Sequence, residues 1–128
     1  MRRGDIWAVA GSQGYAGKPR PVVIMQDDNF DATSSITICA FTRDETEAPL
    51  FRLPVDPSPG NGLRTKCRMM VDKITTIPKS KVGVRVGRLS DEDILRLNRS
   101  LAVFLGLASS SRTSRQSRAA PRTVSGRG

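Results

Sequence analysis

Apolar residues recur at a spacing of two along most of this chain, which predicts strands, and at three to four in one stretch near residue 100. Ile6-Trp7-Ala8-Val9-Ala10 gives a first strand, entered from Gly4-Asp5. Val22-Val23-Ile24-Met25 is an unbroken apolar run bounded by Pro21, and with its β-branched members it predicts a strand buried on both faces. Residues 35–42 alternate, placing Ile36, Ile38, Ala40 and Thr42 on one side, with Thr42 the polar end of a buried row. Leu50-Phe51-Arg52-Leu53 predicts a short edge strand ended by Pro54. Residues 67–71 and 74–77 read as two strand pieces separated by Asp72-Lys73, and Val82, Val84 and Val86 mark a last strand.

The polar segment 26–31 has room for a single helical turn at most, and 56–62, with its prolines and glycines, is a loop by every turn rule. One helix is well specified. Ser90 is a good N-cap, Asp91, Glu92 and Asp93 put negative charge in the first turn, and Gly106 marks the end. Ile94, Leu97, Leu101, Phe104 and Leu105 form its apolar stripe, with Arg96, Arg99 and Ser100 opposite. The pattern predicts a mainly β, α+β fold: a small, curled, mostly antiparallel sheet of about six strands with one long C-terminal helix.

Composition adds a domain boundary and a kind of partner. The 128 residues suit one domain, spanning 1–107, followed by a Ser/Arg-rich tail, 108–128, with almost nothing to bury and hence disordered. Of a formal charge of +9, five units lie in that tail and +4 in the domain. Such a balance favours a polyanion, with nucleic acid first. Arg112, Arg115, Arg118, Arg122 and Arg127 are spaced to follow a phosphate backbone without reading bases, which truncation at Ala108 would expose in the salt dependence of RNA binding. The N-terminus has no apolar signal core and no run is long enough to span a bilayer, so the expected setting is cytoplasmic, without a membrane. Cys39 and Cys67 sit in strand-like segments and read as reduced core residues.

The chain has no histidine, which excludes two-histidine ribonuclease chemistry. A zinc site is not expected, and neither is another metal: the Asp27-Asp28-Asp31 cluster reads as a solvated turn. The loop of residues 11–17 carries three glycines and can let a polyanion approach its backbone. It leads through Lys18-Pro19-Arg20-Pro21, where Pro21 pushes Arg20 out of the helical region into an extended entry to the strand. Trp7 and Phe51 read as core. Tyr15 is the better base-stacking candidate, Lys18, Arg43, Arg68 and Lys73 are phosphate-contact candidates, and Arg52 and Lys66 read as solvated edges.

Four ordered stretches carry a family resemblance: Arg3-Gly4-Asp5-Ile6-Trp7, Gly17-Lys18-Pro19-Arg20-Pro21-Val22-Val23, Ile38-Cys39-Ala40-Phe41-Thr42, and the run from Val71-Asp72-Lys73 through Gly87-Arg88-Leu89-Ser90 into the helix. Together they resemble the MazF/PemK family of toxin–antitoxin endoribonucleases over residues 3 to about 107. The resemblance implies an SH3-like/CcdB-like barrel acting as a homodimer, also suggested by apolar strand surface that one helix cannot cover. It further implies cleavage of single-stranded RNA (mRNA, tRNA or rRNA) at short sequences without metal or cofactor, restrained by a cognate antitoxin. By the same resemblance Arg20 and Thr42 are the catalytic pair. The chain departs from the family pattern at Gln13, where an acid is usual, and at Lys73, where glutamine is frequent. Both positions flank the family's RNA groove and bear on the cleavage sequence. Two other readings stay open here: a same-fold toxin that inhibits a protein such as DNA gyrase, and a non-catalytic RNA-binding barrel.

Overall fold

The computed structural model describes residues 1–10, 19–45 and 50–109. Six strands, β1 (Asp5–Val9), β2 (Arg20–Ile24), β3 (Ser35–Thr42), β4 (Arg52–Val55), β5 (Cys67–Pro78) and β6 (Val82–Arg88), precede one helix, α1 (Asp91–Phe104). They form one antiparallel sheet in the order β4-β5-β3-β2-β1-β6. The helix is capped as its sequence dictates: the Ser90 hydroxyl accepts from the Asp93 N–H, and Gly106 takes a φ of +78° just beyond the end.

The sheet must curl, and the chain shows why. Only a three-residue turn, Lys79–Lys81, joins β5 to β6, yet three other strands lie between them in the ladder. Four flat strand spacings would need about 19 Å, while a 3₁₀ turn rises only about 2 Å per residue. The curl closes that gap and creates two apolar layers. One, under the helix, holds Ile6, Val23, Cys39, Phe41, Met69, Val71 and Leu97. The other holds Val9, Val22, Ile24, Ile36 and Ile38, with Trp7, Ile77 and Val82 packed on it. Residues 22–25 are thus buried from both sides, as the unbroken apolar run requires. Apolar strand surface nonetheless stays exposed at Val84 of β6.

The ladder does not close into a hydrogen-bonded barrel: β4 and β6 are its two ends. A loop and the helix join them. From the end of β4 the chain crosses to β6, where the Arg88 N–H donates to the Gly60 carbonyl at 2.9 Å. Asn61, buried inside this loop, is its hub: Oδ1 accepts from the N–H groups of Ser58 (3.0 Å) and Leu63 (2.9 Å), and Nδ2 donates to the Asp56 carbonyl (2.9 Å). Glycines on both sides permit this contact. A Cβ on Gly62 would lie 2.3 Å from the Val86 carbonyl oxygen, and one on Gly87 would lie 2.4 Å from the Asn61 backbone.

Several local expectations change. Pro54 lies within β4 rather than ending it. It is tolerated because β4 is an edge strand, bonded only to β5. The two pieces around Asp72-Lys73 are one strand with a kink: between paired positions β3 advances from Cys39 to Phe41 while β5 moves from Ile74 to Met69. Arg52 is no solvated edge. Its Nε and Nη2 bind the two Asp72 oxygens at 2.8 and 3.1 Å, pinning the kink to β4. Ser100 is buried rather than facing solvent, because its hydroxyl donates to the Leu50 carbonyl. Trp7 is half-buried and packs on the second layer, and Phe51 packs on the first, its ring 6.2 Å from that of Phe104. Both cysteines are free and buried, and burial pushes the Cys39 thiol up to about 12. Among the described residues no helix is long and apolar enough to cross a membrane.

Asp5 anchors the start of β1. Burial disfavours its charge, but the Arg2 N–H (3.0 Å) and the guanidiniums of Arg88 (3.2 Å) and Arg85 (3.5 Å) overcome that, and its carboxyl titrates below the usual range. A depressed folded-state value stabilises the protein above the unfolded pKa and is lost as pH falls through the folded one. The denaturation midpoint should therefore hold down to about pH 5 and fall steeply below about pH 4. Asp5→Asn should flatten that fall, and an unchanged acid profile in the variant would refute the assignment.

Candidate active site

Arg20 and Thr42 are brought together by strand register. The β2–β3 pairs Val22↔Ala40, Val23↔Cys39 and Ile24↔Ile38 run antiparallel, so Arg20 at the start of β2 and Thr42 at the end of β3 lie at the same end of the two strands. The next strand extends the row, since Thr42 pairs with Arg68. Arg20 is exposed at the first position of β2, where Pro21 keeps its backbone extended. The Thr42 hydroxyl accepts the Asp44 N–H at 3.1 Å. That bond occupies an acceptor position and leaves the O–H to donate outward.

Both side chains belong to residues lining one surface cleft of about 570 Å³. Its lining takes in Pro19 to Pro21, Thr42 and Arg43, together with Arg64 and Thr65 from the loop between β4 and β5. Ala8, Phe41, Leu63, Cys67 and Val86 contribute apolar surface. Burial raises the Cys67 thiol above its ordinary value, against the opposing pull of the Arg43 charge.

The other sequence candidates divide. Arg43 lines the cleft and is exposed. Arg68, half-buried, donates to the Asp44 carbonyl at 3.2 Å beside Thr42. Lys73 sits at the β5 kink and is not among the cleft's lining residues. Gln13, Tyr15 and Lys18 lie outside the described residues, as do residues 110–128 of the tail. The turn carboxylates hold structure: Asp27 caps the 3₁₀ turn Asp28–Phe30, Asp28 accepts the Arg3 N–H at 2.7 Å, and Asp31 faces Lys79 at 3.4 Å. Among the described residues no group of three or more Cys, Asp or Glu could hold a metal ion.

Arg64 and Thr65 were not legible as site residues. The available signal was indirect: Gly83 and Gly87 inside a strand pattern announce close backbone approach. They do not say that the approaching segment is the one that carries Arg64.

The profile of the PemK-like, MazF-like toxins of type II toxin–antitoxin systems matches residues 2–105. A protein of Mycolicibacterium smegmatis named "Probable endoribonuclease MazF" is 53% identical over 108 residues, covering 84% of this chain and 99% of its own length. Endoribonuclease MazF9 of Mycobacterium tuberculosis is 28% identical over 118 residues, covering 84% of this chain and 98% of its own. A mycobacterial endoribonuclease solved in complex with its cognate antitoxin superposes with a TM-score of 0.67 at 22% identity, covering 84% of this chain and 97% of that one. The MazE–MazF complex of Deinococcus radiodurans gives 0.67 at 14% identity, with the same two coverages.

Proposed function

Because the chain belongs to the family of PemK-like, MazF-like toxins of type II toxin–antitoxin systems and is an endoribonuclease, we propose that Arg20 and Thr42 carry a sequence-selective, metal-independent cleavage of single-stranded RNA. The observation that supports this most is that strands β2 and β3, paired antiparallel, bring a guanidinium and a hydroxyl from distant parts of the chain into the lining of one cleft.

RNA supplies its own nucleophile. The 2′-oxygen attacks the adjacent phosphorus, the new O2′–P bond replaces the P–O5′ bond, and the products are a 2′,3′-cyclic phosphate and a 5′-hydroxyl. The 2′-proton is lost to solvent and one is gained by the leaving oxygen. The protein's task is to hold the phosphodiester in line and stabilise the charge that builds on its oxygens. Arg20 fits the second role, with planar donors matching two phosphate oxygens. A general-base role does not suit a guanidinium, which carries donors and no acceptor. The outward Thr42 O–H donates to the same phosphate and orients it.

Incubating the purified chain with a long RNA in EDTA tests the reading. Discrete fragments ending in 2′,3′-cyclic phosphate are expected, and primer extension then gives the cleaved sequence. RNA that is bound but intact would overturn it in favour of a binding module. A cognate antitoxin is the proposed restraint, and its addition should abolish the fragments.

The working form we propose is a homodimer. Leu50, Phe104, Leu105 and Leu107 leave large apolar side chains exposed around the end of α1, surface of the kind that marks association. Light scattering at micromolar concentration should give twice the 13.9 kDa chain mass; a persistent monomer would refute it.

A further inference from the structure

Arg64 has no role in the reading above, yet the fold fixes the backbone on either side of it. Leu63 before it is buried, and its N–H is held by the Asn61 hub. The Cys67 thiol beyond it donates to the Thr65 carbonyl at 3.5 Å. The loop itself is latched to β6 through Gly60 and Arg88, with Gly62 and Gly87 allowing backbone-to-backbone contact. Arg64 is nonetheless exposed and, among the described residues, makes no ion pair or hydrogen bond. A cation on a fixed backbone, lining a cleft and without a partner among the described residues, is preorganised for an external anion.

The cleft indicates which anion. Its lining brings Arg20 and Thr42 together with Arg64 and Thr65 in one cleft. Each of the two pairs offers a guanidinium and a hydroxyl, a donor set suited to phosphate. The apolar part of the lining, from Pro21, Phe41, Leu63 and Val86, suits the flat face of a base or a ribose. A volume of about 570 Å³ lies within the range of small-molecule sites, roughly 300–1,000 Å³.

We propose that the cleft is a one-nucleotide subsite: Arg64 and Thr65 grip the phosphate next to the one held by Arg20 and Thr42, and the nucleoside between them lies over Pro21, Phe41, Leu63 and Val86. This rests on the assignment of Arg20 and Thr42 to the scissile phosphate. An acidic segment of a protein partner is the other anion that fits Arg64. The presence of a second guanidinium–hydroxyl pair in the same lining favours RNA, because it matches the repeat of the phosphate backbone. The second grip positions the substrate, since two anchored phosphates fix the ribose between them for in-line attack.

Binding of an uncleavable RNA separates this inference from the cleavage chemistry. A 2′-O-methyl oligonucleotide carrying the cleaved sequence is titrated with the full chain, with Arg64→Ala and with Arg99→Ala, an exposed helix residue away from the cleft. Arg64→Ala should weaken binding about tenfold and flatten the log–log salt slope by about 0.7, the value for one phosphate contact on a single strand. Arg99→Ala should change neither. Each phosphate is then replaced in turn by a neutral methylphosphonate. Against Arg64→Ala just one replacement should cost nothing further, and it should neighbour the one that is silent against Arg20→Ala. Unchanged affinity in Arg64→Ala overturns the proposal while leaving the cleavage reading intact. Losses additive at every phosphate also overturn it, and point to the protein partner. Failure of the full chain to bind overturns both readings.

Discussion

Arg20→Ala is expected to lower RNA cleavage at least a hundredfold while the protein stays folded. The side chain is exposed at the start of β2, so its removal leaves no cavity, and the strand is held by Val22, Val23 and Ile24. Losing one donor aimed at developing charge costs about 3–4 kcal/mol of barrier. Arg20→Lys should recover little, because an ammonium lacks the two-pronged geometry that matches two phosphate oxygens. Thr42→Ala should fall comparably and Thr42→Ser much less, since the hydroxyl that accepts the Asp44 N–H and donates outward is kept. The measurement is single-turnover cleavage by protein whose circular dichroism matches the parent. Undiminished rates in folded Arg20→Ala would end the assignment.

Gly87→Ala should be the most damaging small substitution away from the reacting groups. The added methyl would sit 2.4 Å from both the carbonyl carbon and oxygen of Asn61 and 2.6 Å from the Gly60 oxygen. All three are backbone atoms, so no side-chain rotation relieves the clash. Either the loop leaves β6, losing the Arg88-to-Gly60 bond and the burial of Leu63, or β6 shifts on β1 at the Ile6↔Gly87 pair. We expect a loss of about 3 kcal/mol, the upper end for overpacking, read as a lower urea midpoint and faster proteolysis within residues 56–66. Gly83→Ala on the same strand is the control. Its methyl would meet only the Ala8 carbonyl oxygen at 3.3 Å, and its effect should be much smaller. Equal losses would refute the clamp.

What the sequence determined by itself is local. An unbroken run at 22–25 announces burial on both faces, an N-cap with three acids announces the start of a helix, and a proline edge announces an extended arginine before it. Each follows from a period or a backbone restriction that acts over a few residues. The pairing of Arg20 with Thr42 came from motif resemblance, because nothing local relates a strand's first residue to another strand's last. Tertiary structure decided that relation through the β2–β3 register, which depends on how two separate apolar rows interlock. It also decided which polar residues are used inside. Ser100 falls on the polar side of the helical pattern and is buried because a carbonyl of the chain before β4 lies over it; Arg52 is drawn in because the kink of β5 presents Asp72. Arg64 was invisible for the same reason. Its place in the cleft is set by a loop that spans the open edges of the sheet, and that span exists because the short turn between β5 and β6 forces the curl.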